Sequence, residues 1–329
     1  MSEQLRRNPQ AVAEALRKAR SIAICSHVNP DGDTIGCALA MRLGLMSMGK
    51  QVRVFCQDKV PDNLVFLPGA NEIRDPAECR EGFDLLLAVD VSDRERLGSG
   101  KELLSRCLHT AQIDHHPTNP SYMEVNSVDG KAPAACVLIY EQLKALEVQI
   151  NREIAMCLYT GISTDTGNFS FSSTNAEVFS IMSELMTIGL PLSEMSRVLF
   201  RERSREQLLL LGRAINSLRF EGKDGQIAVM SLTRKDFEEC GARNEHADTI
   251  VNFGLETTGT LMAVLGREDE PGEIKFSMRA KSPERIDDVA QKLGGGGHPQ
   301  ACGATLHGTL ADTVPQVVKA LAEKLEEMR

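Results

Sequence analysis

Four short segments of this chain carry aspartate or histidine residues at the ends of apolar runs. They are 26–33 (Ser-His-Val-Asn-Pro-Asp-Gly-Asp), 89–90 (Val-Asp), 114–116 (Asp-His-His) and 164–166 (Thr-Asp-Thr). The apolar runs before the first three are typical of buried strands in a parallel sheet. Because ligand groups gather beyond the carboxyl ends of such strands, these side chains should meet at one edge of the sheet. A pair of divalent metal ions is the simplest way to offset the repulsion between like charges there.

The first segment has the composition of a metal-binding turn. His27, Asp31 and Asp33 follow a predicted strand at 21–25, and a proline and a glycine between them bend the backbone so that both carboxylates can point into one cavity. A single Asp-x-Asp is more often a helix cap beside a turn glycine. The added histidine and the three partner segments favour a metal site instead.

The other three segments supply further groups of the same kind. Asp90 directly follows a buried strand, where a carboxylate is costly unless it is paired or ligated. Asp114, His115 and His116 end another strand, and two adjacent histidines after an aspartate are hard to explain as structural residues. Imidazole beside carboxylate suits Mn²⁺, Fe²⁺, Co²⁺ or Zn²⁺ better than Ca²⁺. Asp165 is expected to follow a helix, where an ordinary helix-terminal loop is the alternative interpretation.

A run of four glycines at 294–297 marks the last third of the chain. Such a run can let backbone N–H groups converge on an anion, although a bare glycine run is otherwise a flexible linker. A histidine follows the run directly, and a nearby predicted strand carries an arginine, which suits bidentate contact with phosphate. We therefore predict that phosphate or base recognition involves Ser277, Arg279, Gly295, Gly296, Gly297 and His298.

The composition is that of an ordinary globular protein, with 329 residues, 42% hydrophobic and 25% charged. The net charge of −9 argues against binding of long duplex nucleic acid. Nine cysteines without a Cys-x-x-Cys pair favour reduced thiols. No stretch has the pattern of a signal peptide or of a membrane span. We therefore expect a cytoplasmic protein with no membrane association.

Predicted strands and helices alternate through the first half, so the predicted fold class is α/β. The first domain is predicted at 1–190, with a parallel sheet and helices on both faces. A helical linker is predicted at 191–212, and a smaller α/β domain at 213–329. Strands of the first domain are predicted at 21–25, 51–56, 84–89 and 111–113.

Taken together, these residues resemble the DHH phosphoesterase superfamily, and within it the proteins that carry a DHH-associated C-terminal domain. The four segments are similar to its motifs in the same order, with Asp114-His115-His116 as the motif that names it. The glycine run with Gly303 resembles the signature of the C-terminal domain. The size and the two-domain layout are most similar to the stand-alone nanoRNase and pAp-phosphatase group. Cys37 stands where serine is commoner, and neither this change nor Cys302 after the glycines removes a ligand.

The resemblance implies two divalent metal ions, most often Mn²⁺, with Mg²⁺ or Co²⁺ as alternatives. It implies that the first ion is held by His27, Asp31 and Asp90. It implies that the second ion, with Asp90 as the bridge, is held by Asp33, Asp90, His115 and Asp165. His116 and Asp114 would be the catalytic pair, with His116 on the scissile phosphate. Arg279 and His298 would hold the substrate, so that the first domain catalyses and the second binds.

The implied activity is hydrolysis of very short RNA oligonucleotides to mononucleotides, together with dephosphorylation of 3′-phosphoadenosine-5′-phosphate (pAp). Short oligoribonucleotides, dinucleotides and pAp are the expected partners, and a homodimer stays open. Two alternatives also stay open: a linear or cyclic dinucleotide phosphodiesterase in second-messenger turnover, and a RecJ-like single-strand exonuclease. A catalytically idle binding module would need a missing ligand, and every expected ligand is present.

Overall fold

The structure is a computed structural model that describes residues 7–327, apart from the side chain of His298. The chain divides into two compact units, Met1–Glu202 and Arg203–Arg329. The division falls inside the predicted linker, whose residues are shared between the two units. None of the described helices combines the length and apolar character needed to cross a membrane.

The first unit contains a five-stranded sheet. Its strands are β1 (Ser21–Cys25), β2 (Gln51–Phe55), β3 (Phe83–Val89), β4 (Cys107–Asp114) and β5 (Val125–Val128). Their order is β2-β1-β3-β4-β5, and each neighbouring pair is parallel. The predicted parallel sheet is therefore confirmed. The sequence did not predict β5, because its four residues (Val-Asn-Ser-Val) are too few and too polar to show a pattern.

Helices cover one face of this sheet, and 3₁₀ segments cover much of the other. The helices of the first unit are α1 (Pro9–Lys18), α2 (Gly32–Ser47), α3 (Ala135–Ala145), α4 (Arg152–Asp165), α5 (Ala176–Thr187) and α6 (Leu192–Ser196). Alternate residues of a strand point to opposite faces. Ile22 and Ile24 of β1 therefore join the core beneath the helices. Ala23 and Cys25 face a second cluster that includes Leu97 of the 3₁₀ segment Glu95–Ser105.

Helices α2 and α4 approach closely because glycines lie where they meet. A Cβ atom on Gly36 of α2 would lie 2.6 Å from the carbonyl oxygen of Cys157 in α4. A Cβ atom on Gly161 of α4 would lie 2.5 Å from Oδ1 of Asp33. Distances this short leave no room for a side chain at either position. The close packing places the last turn of α4 beside the first turn of α2.

The second unit contains a six-stranded sheet with helices on both faces. Its strands are β6 (Arg219–Glu221), β7 (Ile227–Leu232), β8 (Met262–Glu270), β9 (Glu273–Ala280), β10 (Gly296–His298) and β11 (Ala301–His307). Its helices are α7 (Arg205–Asn216), α8 (Arg234–Cys240), α9 (Ile250–Leu255), α10 (Asp287–Lys292) and α11 (Leu310–Glu327). The order is β10-β11-β9-β8-β7-β6, with β7 and β8 parallel and the other pairs antiparallel. The α/β fold class is confirmed for both units.

The glycine run leads from the end of α10 into this sheet. The N–H groups of Gly294 and Gly295 donate to carbonyl oxygens at the end of α10, at 3.0 and 2.8 Å. The next residues form β10 at the sheet edge, where Gly296 pairs with Gly303 of β11. A Cβ atom on Gly295 would lie 2.0 Å from the carbonyl oxygen of Gly303. The glycines are therefore needed for close strand contact. The N–H groups of Gly294 and Gly295 are engaged within the unit, and anion recognition by the rest of the run stays a prediction.

The stability of the first unit should depend on the buried face of its central strand. Leu87 of β3 is fully buried, whereas Leu108 on neighbouring β4 is 74% exposed. We expect Leu87→Ala to lower the free energy of unfolding by about 3 kcal/mol, because it leaves a cavity. Leu108→Ala should change it by less than about 0.5 kcal/mol. Urea unfolding followed by circular dichroism measures both, and equal losses would contradict the packing described here.

Candidate metal centre

The turn after β1 places two carboxylates at the start of α2. Oδ1 of Asp31 caps the helix by accepting hydrogen bonds from the N–H groups of Asp33 and Thr34, at 3.0 and 3.1 Å. Its Oδ2 lies 3.9 Å from Nε2 of His27. The hydroxyl of Thr34 donates to the carbonyl oxygen of Val89 at 3.3 Å, which ties the start of α2 to the end of β3.

Asp33 is fully buried and is held by the first turn of α3. Its Oδ1 accepts a hydrogen bond from the N–H of Cys136 at 2.9 Å, and its Oδ2 accepts one from the N–H of Ala135. A helix N-terminus favours a negative charge at this position. Oδ2 of Asp33 also lies 3.8 Å from Nε2 of His115. No sequence pattern predicted that α3 would hold this carboxylate.

Asp90 lies at the centre of the cluster. It directly follows β3, has a left-handed backbone (φ 58°) and is 2% exposed. Its Oδ2 lies 3.5 Å from Nε2 of His27, and its Oδ1 lies 3.4 Å from Nε2 of His115. Oδ1 is buried and makes no hydrogen bond within the described part of the chain. A buried carboxylate oxygen without a hydrogen-bond partner costs free energy of folding, and a bound cation would offset that cost.

Both histidines turn Nδ1 toward a backbone carbonyl. Nδ1 of His27 lies 2.8 Å from the carbonyl oxygen of Val28, and Nδ1 of His115 lies 3.1 Å from that of Ala132. When Nδ1 carries the hydrogen and donates it to the carbonyl, Nε2 keeps a free lone pair. Metal-ligating histidines are commonly oriented in this way. Burial lowers the pKa of His27, with the charge of Asp31 opposing it, which favours the neutral ring that a metal requires.

Asp165 completes the cluster from the end of α4. The sequence predicted that Asp165 follows a helix, whereas in the structure it is the last residue of α4. Its Oδ2 lies 3.2 Å from Nε2 of His115. Burial, followed by the charges of Asp33 and Asp31, raises the pKa of Asp165 to about 10. Burial, followed by the charges of the neighbouring aspartates, also raises the pKa of Asp90 well above its usual range. Divalent cations between these oxygens would offset both effects.

The described residues form four groups that could each hold a metal ion, with all ligand atoms of a group within 4.8 Å of one another. Two of these groups, the two ligand sets, together contain all six predicted ligands, and a third joins Asp90 and His115 to His116. One set is His27, Asp31 and Asp90, and the other is Asp33, His115 and Asp165. Asp90 turns one oxygen toward each set. Imidazole nitrogen combined with carboxylate oxygen fits Mn²⁺ and similar ions. The buried thiols of Cys37 and Cys136 lie against Asp33 and form a further group of possible ligand atoms. Burial raises the pKa of both thiols well above the usual range.

Asp114 lies behind the metal sets and holds His116. Its Oδ1 lies 2.8 Å from Nδ1 of His116, and its Oδ2 accepts a hydrogen bond from Nδ2 of Asn119 at 2.6 Å. Burial lowers the pKa of His116, but the hydrogen bond and charge of Asp114 outweigh it and raise the pKa above its usual value. Asn119 is buried and also donates to the carbonyl oxygen of Val91. No sequence pattern indicated Asn119, because an asparagine after Pro-Thr has the pattern of an ordinary turn residue.

The predicted substrate residues of the second unit lie on neighbouring strands. Ser277 and Arg279 are two residues apart on β9 and so share one face of the sheet, opposite the buried Phe276 and Met278. Arg279 of β9 pairs with Ala301 of β11, and Ala301 pairs on its other side with His298 of β10. Burial lowers the pKa of Arg279, and its guanidinium donates to a backbone carbonyl at 3.0 Å.

Comparison with known proteins identifies the family. Residues 21–162 match the N-terminal domain of the DHH family, and residues 224–327 match the DHHA1 domain. The chain is 33% identical over 317 residues to the protein named bifunctional oligoribonuclease and PAP phosphatase NrnA from Thermus thermophilus, covering 95% of this chain and 93% of that one. The chain therefore belongs to the DHH family and carries a DHHA1 domain. The family resemblance seen in the motifs is confirmed.

Solved structures agree with this fold. An exopolyphosphatase-related protein from Bacteroides fragilis superposes with a TM-score of 0.89 at 26% identity, over 97% of this chain and 95% of that chain. The exonuclease RecJ, crystallised with manganese, superposes with a TM-score of 0.54 at 16% identity, over 98% of this chain and 96% of that chain. At that identity, the likeness to RecJ concerns the fold alone.

The space at Gly161 should be essential for the metal centre. We expect Gly161→Ala to weaken Mn²⁺ binding by about ten- to a hundredfold, because the new methyl group would displace Asp33. It should also lower the free energy of unfolding by about 1–3 kcal/mol through overpacking. Calorimetric titration with MnCl₂ and urea unfolding measure the two effects.

The matched control is Gly212→Ala in α7, where no atom lies within 4 Å of the added Cβ. It should leave Mn²⁺ affinity unchanged and stabilise the helix by up to about 1 kcal/mol. Equal Mn²⁺ affinity in the Gly161 variant and the wild type would show that Asp33 is not a ligand.

Proposed function

We propose that this protein is a metal-dependent phosphoesterase that degrades very short RNA oligonucleotides to mononucleotides and also dephosphorylates pAp. The observation that carries the proposal is Asp90, a buried carboxylate that turns one oxygen toward each of two sets of metal ligands. The name of the Thermus thermophilus relative, which spans nearly the whole chain, supports the same substrates.

Two divalent ions, for which we propose Mn²⁺, would be held by the six predicted ligands. Asp90 would be shared between the two ions. Imidazole nitrogen beside carboxylate oxygen favours Mn²⁺, and Mg²⁺ or Co²⁺ would also fit the donors. When bound, such ions lower the pKa of a coordinated water and withdraw charge from phosphoryl oxygens. The ligand residues would be His27, Asp31, Asp33, Asp90, His115 and Asp165.

His116 would stabilise the phosphoryl group during hydrolysis. Water attacks phosphorus, the bond between phosphorus and the leaving ribose oxygen breaks, and that oxygen takes up a proton. Asp114 holds the His116 ring at Nδ1 and favours its protonated form, so the ring can face a phosphoryl oxygen that gains negative charge. Asn119 in turn fixes Asp114. This chain of hydrogen bonds sets the direction of the ring before substrate binds.

Residues of the second unit would also bind substrate. We assign this role to Ser277, Arg279, Gly295, Gly296, Gly297 and His298. The half-buried guanidinium of Arg279 suits a phosphate group, since burial strengthens its interaction with an anion. The net charge of −9 disfavours long nucleic acids, so recognition should depend on end groups and shape. The nine unpaired cysteines support a reducing, cytoplasmic setting.

Hydrolysis of a length series of labelled RNA, from two to twenty-four nucleotides, tests the substrate assignment in the presence of Mn²⁺. Hydrolysis of pAp and of cyclic-di-AMP is measured in parallel. We expect mononucleotides to be released fastest from the shortest RNAs, and phosphate to be released from pAp. A preference for long single strands would move the assignment to a RecJ-like exonuclease. Cleavage of the cyclic dinucleotide alone would indicate second-messenger turnover, and no turnover at all would indicate an idle module.

Asp90→Asn tests the metal centre without relying on turnover. Asparagine keeps the shape of the side chain and accepts the left-handed backbone, so the Tm of the EDTA-treated protein should change little. Mn²⁺ at a hundred times its Kd should raise the Tm of the wild type by about 5–10 °C. This rise should be lost in Asp90→Asn and kept in the control Asp62→Asn, which lies on an exposed turn. An undiminished rise in Asp90→Asn would refute the shared ligand.

A further inference from the structure

One arginine that none of the proposed roles uses lies beside the metal ligands. Arg96 belongs to the 3₁₀ segment Glu95–Ser105, and its backbone is fixed on both sides. Its N–H donates to Oδ1 of Asp93 at 3.0 Å, and its carbonyl oxygen accepts a hydrogen bond from the N–H of Val28 at 2.8 Å. Because Val28 directly follows His27, the two segments are held in register. Arg96 is therefore part of the same rigid framework as the metal ligands.

The side chain of Arg96 extends toward the cluster and finds no carboxylate partner there. Its Nη2 lies 3.1 Å from Nδ1 of His27. Among the ion pairs formed by residues 7–327, none involves Arg96, whereas Arg42 and Arg53 of the same unit pair with Glu72 and Glu81. An arginine beside several aspartates would ordinarily pair with one of them. The guanidinium is half-buried and available to another anion.

The tautomer of His27 leaves this guanidinium without an acceptor. Nδ1 of His27 lies between the carbonyl oxygen of Val28 at 2.8 Å and Nη2 of Arg96 at 3.1 Å. One nitrogen cannot donate and accept at the same time. If Nε2 is to bind a metal, Nδ1 must carry the hydrogen and donate it to Val28. Arg96 then faces an N–H group, and its own N–H groups must find a different acceptor.

The guanidinium of Arg96 adjoins the cluster through His27. Nε2 of His27 lies 3.5 Å from Oδ2 of Asp90, and Oδ1 of Asp90 lies 3.6 Å from Nδ1 of His116. Arg96, with Nη2 3.1 Å from Nδ1 of His27, therefore lies on the same connected group of side chains as the ring that would face the phosphoryl group.

We propose that Arg96 binds the phosphoryl group under attack, by donating hydrogen bonds to a non-bridging oxygen. The proposal rests on the phosphoesterase function proposed above and adds a substrate residue in the first unit. In the metal-binding tautomer, Nδ1 of His27 is a donor and cannot accept a hydrogen bond from Arg96. A phosphate monoester or diester has oxygens that can accept it. A planar guanidinium fits two phosphate oxygens, and its charge offsets the negative charge that builds up during hydrolysis.

Binding of AMP to the Mn²⁺-loaded protein tests this role by calorimetry, in the wild type, Arg96→Gln, Arg96→Lys and Arg94→Gln. Arg94 is the matched control, because it lies two residues away, is exposed and donates to the carbonyl oxygen of Tyr122 instead. We expect Arg96→Gln to weaken AMP binding by on the order of ten- to a hundredfold. Arg96→Lys should recover part of that loss, and Arg94→Gln should bind as the wild type does.

The Mn²⁺ affinity of each variant separates substrate binding from a structural role. Unchanged Mn²⁺ affinity with weakened AMP binding supports the proposal. Weakened Mn²⁺ affinity with normal AMP binding at saturating Mn²⁺ would make Arg96 a positioning residue for His27 and would overturn the proposal. Equal AMP binding in Arg96→Gln and Arg94→Gln would also overturn it. A wild-type protein that binds AMP but hydrolyses neither RNA nor pAp would refute the proposed function while leaving this test intact.

Discussion

Repulsion between buried carboxylates is the constraint on which the rest of the first unit depends. Asp33 and Asp90 are buried, and the half-buried Asp165, the exposed Asp31 and two histidines converge on them. One oxygen of Asp90 makes no hydrogen bond within the described part of the chain. Such a cluster is unfavourable unless cations fill it or neighbouring groups compensate it. The fold supplies part of this compensation through the cap of α2, the N-terminus of α3 and the backbone carbonyls that orient both rings.

The sheet order explains how so few strands can gather the ligands. β1 and β3 are neighbours although β2 lies between them in sequence, so the turn after β1 and the residue after β3 lie side by side. A parallel sheet concentrates functional groups at such a point. The ligand on α4 arrives from the helical layer, and it can do so because glycines allow α2 and α4 to approach closely. Sheet topology and helix packing therefore both contribute ligands.

The sequence predicted the fold class and brought together the segments that form the cluster, because apolar runs and the polar residues after them are local patterns. It could not predict β5, which is too short and polar, or the pairing of the glycine run with β11, which is a long-range contact. Arg96 and Asn119 were missed for a similar reason. Their residue types are common in turns, and only the tertiary structure places one beside His27 and the other beneath Asp114.

Four of the six proposed ligands are held by hydrogen bonds to the backbone. His27 and His115 are anchored to carbonyl oxygens, Asp33 to the N–H groups of α3, and Asp31 to those of α2. Small metal-dependent domains often unfold when the metal leaves, because the ion itself orders the chain. Here the ligands should stay in place when an ion dissociates. Activity in a cell would then follow the supply of divalent cations as a reversible saturation, with no refolding step between the idle and the active protein.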